Sequence, residues 1–132
     1  LYILKATKLE RGLIIAFEPD PGNLQILKWN IRINRARNII PLNIAVANFN
    51  GYTKLSLYGA GSSIVFRVSD EFYKVLCLTL DRIVELLKLK RVDMIKIDVQ
   101  GAEYIVLKGA RELLKRRYPK LVIEIHSEDL YS

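Results

Sequence analysis

The sequence predicts an open α/β fold with a mostly parallel sheet. Two observations carry that prediction. Short apolar runs at Leu13–Phe17, Val92–Ile97 and Leu121–Ile125 are separated by stretches with helical spacing, the pattern of buried strands joined by crossover helices. Such crossovers are right-handed and leave neighbouring strands parallel. The ends of the three runs are also polar: the first meets Glu18, the second Asp98, and the third the Glu124-Ile125-His126 step. In open α/β sheets ligands sit in the crevice beyond the carboxyl ends of the strands. Parallel strands would bring these three groups to one crevice.

Each element has its own justification. Leu1–Glu10 reads as a short helix, with apolar residues at 2, 3, 6 and 9 and Gly12 to end it. After strand Leu13–Phe17, the prolines and glycine of Glu18-Pro19-Asp20-Pro21-Gly22 turn the chain into a helix over Pro21–Arg35. Proline suits its first turn, and Leu24, Leu27 and Ile31 share a face. Asn38–Val46 reads as a strand that Pro41 limits to an edge or to its first residues. Asn50-Gly51 is a tight-turn signal before the alternating strand Thr53–Tyr58. Val75–Thr79 is another short strand, and the two together predict an antiparallel extension. Gly59-Ala60-Gly61-Ser62-Ser63 is a small-residue loop. It reads either as a phosphate or substrate loop or as a plain connection, and no strand-to-helix context supports the former. Leu80–Lys88 has helical spacing, with Asp81 in its first turn, where the helix dipole favours an anion. A last helix covers Ala102–Arg117, and Pro119 stops it before the final strand.

Composition narrows the class. The 132 residues fit one domain, and 51% hydrophobic with 27% charged residues suits a globular core rather than a disordered chain. No apolar run approaches the roughly 18 residues of a membrane span. The first ten residues hold Lys5, Lys8 and Glu10 and lack a small-residue cleavage site, so no signal peptide is expected. Cys77 is the single cysteine and can form no internal disulfide, which points to a reduced, cytoplasmic setting. The abundance of Ile, Leu, Lys, Arg and Glu, with one Cys, one Met and two Gln, hints at a thermophile. Nothing in the sequence spells a metal site. The net charge of +7 comes from clusters at Arg32/Arg35/Arg37, Lys88/Lys90/Arg91 and Lys115/Arg116/Arg117. These fall at predicted helix ends, so a solvated surface is expected and nucleic-acid binding ranks low. The chain begins at Leu1, and its only methionine is Met94, which suggests a processed start or a piece of a longer product.

Glu18 is the leading candidate for ligand binding, because an ionised carboxylate accepts hydrogen bonds with two oxygens and matches a ribose diol. Its bland reading is a carboxylate at a helix start, yet Asp20 is already there for capping. Asp98 opens Asp98-Val99-Gln100-Gly101-Ala102-Glu103, where the glycine permits close backbone approach. A site reading of Asp98 and Glu103 stands beside a plainer one, in which Asp98 or Gln100 only caps the following helix and Glu103 only meets the helix dipole. His126, the one histidine, can act as a general base near neutral pH or simply lie exposed.

Several motifs in one order carry a resemblance. They are Phe17-Glu18-Pro19-Asp20-Pro21, Asn30…Asn34, Asn43-Ile44-Ala45-Val46-Ala47, Asn50-Gly51, Thr79-Leu80-Asp81, Lys96-Ile97-Asp98-Val99-Gln100-Gly101-Ala102-Glu103 and Glu124-Ile125-His126. Together they closely resemble the FkbM family of S-adenosylmethionine-dependent methyltransferases, regarded mostly as O-methyltransferases. The resemblance implies a Rossmann-like methyltransferase sheet. It implies that Glu18 holds the ribose of S-adenosylmethionine, that Pro19 lies near the adenine, and that Ala45 and Val46 border the adenine edge. Asp98 would lie near the methionine end and the acceptor. Asp98 or His126 would take the acceptor's proton.

The chain departs from the family at both ends. The family's first strand and its Asp-x-Gly-Ala-x-x-Gly loop have no counterpart, and neither do the terminal strands. The missing first strand would lie between the strand of Phe17 and that of Ile97, exposing two apolar edges. Those strands would pair directly, or another chain would fill the slot, or the sequence is part of a longer product. The expected activity is methyl transfer to a hydroxyl of a small molecule or glycan. The alternative is a truncated, inactive methyltransferase-like domain that serves as a binding or dimerisation module, with a homo-oligomer covering the exposed edges.

Overall fold

The computed structural model describes residues 12–56, 72–99 and 101–125. The expected Leu1–Glu10 helix, the Gly59–Ser63 loop and His126 lie outside the described residues. The chain divides into two compact units, Leu1–Ala45 and Val46–Ser132.

The first unit is a parallel strand pair with its crossover helix. Strand β1 (Ile14–Phe17) leads through helix α1 (Pro21–Ile33) to strand β2 (Ile39–Leu42). The register runs from Ile14 opposite Ile39 to Phe17 opposite Leu42. Asp20 caps α1 by accepting the Asn23 N–H at 2.8 Å, and Pro21 occupies the first turn. Leu24 is buried on the inward face. Pro41 falls in β2, an edge strand of this two-stranded pair, as a residue without an N–H donor requires.

The second unit mixes pairings. Strand β3 (Ile44–Val46), in which the boundary between the units falls, is followed by β4 (Gly51–Ser56) and β5 (Phe72–Leu78). They form a sheet in the order β3-β5-β4, with β4 and β5 antiparallel, so the expected antiparallel extension is present. Leu55, Val75 and Cys77 lie on one face of that ladder and are almost fully buried. Each buried aliphatic side chain of this kind contributes about 1.5–3 kcal/mol. On the other face Lys54 and Lys74 are directly opposite, a like-charge pairing. Their ammonium groups sit instead over the rings of Phe72 and Tyr52, each at 4.2 Å.

Helix α2 (Leu80–Leu86), strand β6 (Met94–Ile97), helices α3 (Glu103–Lys108) and α4 (Arg111–Arg117) and strand β7 (Lys120–Ile123) complete the unit. β6 and β7 pair in parallel, from Met94 opposite Lys120 to Ile97 opposite Ile123.

Three expectations need correction. The mostly parallel sheet is present only as pieces: β1-β2, β3-β5-β4 and β6-β7 are separate small sheets among the described residues, and only the first and last are parallel throughout. The expected strand Asn38–Val46 is two strands in two sheets. It breaks at Asn43, whose side chain bonds backbone carbonyls instead of continuing the ladder. The expected helix Ala102–Arg117 is broken at Gly109-Ala110. A Cβ at Gly109 would come within 2.1 Å of the Ala47 carbonyl oxygen, so only glycine allows this approach of two backbones. The helix gives way there, and Ala110 is wholly buried.

Candidate functional site

The carboxyl end of the β1–β2 pair is a braced loop. Glu18 follows β1 and extends the ladder by one bond, its N–H donating to the Leu42 carbonyl at 3.0 Å. Asn43 follows β2 directly. Its amide nitrogen donates to the carbonyls of Glu18 at 3.0 Å and Pro19 at 2.9 Å. The Glu18 carboxylate accepts the Asp20 N–H at 2.9 Å. These bonds tie the turn to the strands on either side, which helps a loop this short keep one shape.

Glu18 is half-buried, and desolvation pushes its pKa above the usual glutamate range. The Asp20 N–H bond opposes that rise, the Asp20 charge adds to it, and a hydrogen bond with Asn23 opposes it. The carboxylate is therefore under-solvated for its charge, and hydroxyl donors would favour its ionised form. Two carboxylate oxygens offer about four acceptor positions, so the bond to Asp20 leaves room for a diol.

Asp98 occupies the matching place on the β6–β7 pair. The Glu124 N–H donates to the Ile97 carbonyl at 3.0 Å, which sets Asp98 and Glu124 at neighbouring strand ends. The Asp98 carboxylate meets Lys96 of the same strand at 3.2 Å, with both side chains about one-third exposed. Downstream, Gly101 has φ +97°, a left-handed value that other residues adopt only under strain. Its N–H donates to Glu103 at 3.0 Å. Glu103 is 8% exposed, the one buried charged residue among those described. Its side chain thus pins the turn that leads into the helix.

Ala45 is buried in β3, beside the half-buried Val46. Glu18, Pro19 and Ala45 belong to the first unit, and Val46 and Asp98 to the second. Among the described residues no group of three His, Cys, Asp or Glu could hold a metal. No described helix is long and apolar enough to cross a membrane.

Sequence reasoning missed two residues. Asn43 carried a signal, an amide set between two apolar segments one residue after Leu42. Asp81 carried none. It was expected to serve the dipole of its own helix, yet its carboxylate accepts the N–H groups of Glu112 at 3.0 Å and Leu113 at 2.8 Å. It thereby caps α4, 31 and 32 residues away. Thr79 caps α2 through the Arg82 N–H and gives its own N–H to the Asn50 side chain at 3.0 Å. Asn50, Thr79, Asp81 and Gly109 thus knit the second unit together.

A family model described as the methyltransferase FkbM domain matches residues 2–131. Comparisons with curated proteins and with solved structures return no match. The match covers nearly all of the chain and takes in both the Glu18 and the Asp98 loops. On that ground the chain belongs to the FkbM methyltransferase family.

Proposed function

We propose that residues 1–132 form a single S-adenosylmethionine-dependent domain that methylates a hydroxyl oxygen of a small molecule or glycan in the cytoplasm. The observation that carries this reading is Glu18: a half-buried, under-solvated carboxylate at the carboxyl end of a parallel pair, bonded by the Asp20 N–H, on a backbone whose carbonyl Asn43 holds. Ribose hydroxyls would satisfy it.

S-adenosylmethionine supplies an electrophilic methyl group on its sulfonium. The chain's own work is to bind and orient. Glu18 accepts the two ribose hydroxyls. Pro19 borders the adenine, and Ala45 and Val46 border its edge. Asp98 lies at the methionine end. Asp98 or His126 takes the proton that the acceptor hydroxyl loses as its oxygen gains the methyl group. Holding that oxygen in line with the methyl group supplies much of the rate enhancement.

Calorimetry with S-adenosylhomocysteine tests this reading. Saturable one-site heat supports it. The absence of both heat and thermal shift would overturn it for this chain.

A second reading has its own observation. Met94, Leu121, Val122 and Ile125 are exposed on or beside the β6–β7 pair. A chain that serves as an inactive binding or dimerisation module would bury them in an oligomer. Sedimentation as a strict monomer would contradict that reading.

A further inference from the structure

The sequence places two basic clusters, Lys88/Lys90/Arg91 and Lys115/Arg116/Arg117, on either side of the β6 and α3 segments. The structure gathers most of them on one surface. A hollow of about 430 Å³ lies between α2 and α4, with Lys88 and Lys90 in its lining. A second, of about 440 Å³, continues toward Tyr118 and Lys120. Lys90, Arg116 and Arg117 line both, so the two form one elongated track. The track runs by the segments that precede β6 and β7, at the opposite end of that pair from Asp98 and Glu124.

Charge in the track is unbalanced. Its four acids are already engaged. Asp81 caps α4, Glu85 pairs with Arg82 at 2.7 Å, Asp93 with Arg91 at 2.6 Å, and Glu112 with Arg116 at 3.0 Å. Lys88, Lys90, Arg117 and Lys120 have no ion pair among the described residues. Beside them Tyr118 is 85% exposed. Its backbone has φ +46°, a left-handed value that glycine would adopt more cheaply at a helix end. So exposed a ring recovers little of that cost by packing.

We propose that this track binds single-stranded nucleic acid, with Lys88, Lys90, Arg117 and Lys120 on successive phosphates and Tyr118 stacked on a base. Basic grooves with exposed aromatic rings suit single strands, whose bases are free to stack. A duplex hides its base faces, and an acidic peptide would make no use of the ring. None of its lining residues belongs to the Glu18 loop or to the residues assigned above to methyl transfer.

Fluorescence anisotropy of the full chain with a labelled 12-nucleotide single-stranded RNA of mixed sequence provides the test. Four phosphate contacts predict a slope of log K against log salt of about −3. Lys90→Glu combined with Arg117→Glu should weaken binding at least about tenfold, and Tyr118→Ala about fivefold or more. Lys28→Glu with Arg32→Glu, on α1, should have no comparable effect. Unchanged far-UV circular dichroism and melting confirm that each variant folds. Three results would overturn the proposal: no binding at low salt, binding untouched by the Lys90/Arg117 reversal, or equal competition by a duplex or a polyglutamate peptide.

Discussion

The β1–β2 and β6–β7 pairs are built alike and end differently. Each has four residues per strand in parallel register, and each first strand runs into a carboxylate. Glu18 is tied to its own loop, half-buried and raised in pKa, with Asn43 bracing the backbone beneath it. Asp98 is paired with a lysine on its own strand, where water reaches both groups. A common strand pattern therefore delivers two kinds of carboxylate. One is half-buried and tied to its own loop. The other is more exposed and ion-paired. Surroundings, not strand pattern, make the difference.

The largest expected effect falls on the scaffold of the second unit. Gly109→Ala places a Cβ against the Ala47 carbonyl, and the unit must shift to admit it. A loss of about 3 kcal/mol of stability is expected, read by denaturant unfolding. A loss below about 1 kcal/mol would show that the backbone approach is slack.

Ligand affinity should separate the two carboxylates next. Glu18→Gln is expected to weaken S-adenosylhomocysteine binding about 10- to 100-fold, the worth of hydrogen bonds to a charged group. Asp98→Asn should change affinity less than about threefold and act chiefly on turnover. Equal effects on binding would erase the distinction. The same Glu18 variant carries a pH signature. Because burial raises the Glu18 pKa, the folded chain holds this proton more tightly than the unfolded chain. Its stabilising share is complete below the ordinary glutamate range and is lost as pH rises through the raised value. Glu18→Gln should therefore melt higher than the parent near neutral pH, with the gap closing in acid. Melting curves across that range check the sign.

A smaller effect follows from Asn43→Ala. It removes two donors from the Glu18 and Pro19 carbonyls and should cost about 1–2 kcal/mol of stability. It should also loosen cofactor binding several-fold while leaving the Glu18 side chain unchanged. The smallest effect belongs to Lys96→Met. An ion pair this exposed contributes less than about 1 kcal/mol, so stability should hardly change. A larger loss would mean that Asp98 is held as firmly as Glu18.

Much of the fold was legible because it is local. Proline and glycine after Phe17, an aspartate ready to cap α1, and the alternation around Leu55 each act within a few residues. The strand ends at Glu18 and Asp98 were legible for the same reason. The break of the Ala102–Arg117 helix was not, since it falls where Gly109 packs against the Ala47 carbonyl, more than sixty positions away in the numbering. The splitting of Asn38–Val46 was missed because an asparagine in an apolar run looks like a strand residue until its amide finds the Glu18 carbonyl.

The sequence by itself determined most of the strand and helix positions, the carboxylates at Glu18 and Asp98, and the family, because hydrophobic period, turn chemistry and short motifs are properties of neighbouring residues. Tertiary structure alone decided three further things. It made Asp81 the cap of a distant helix, made glycine obligatory at position 109, and merged two basic clusters into one track. Each depends on segments far apart in the chain coming within a hydrogen bond or a van der Waals radius of one another, and no local pattern encodes that distance.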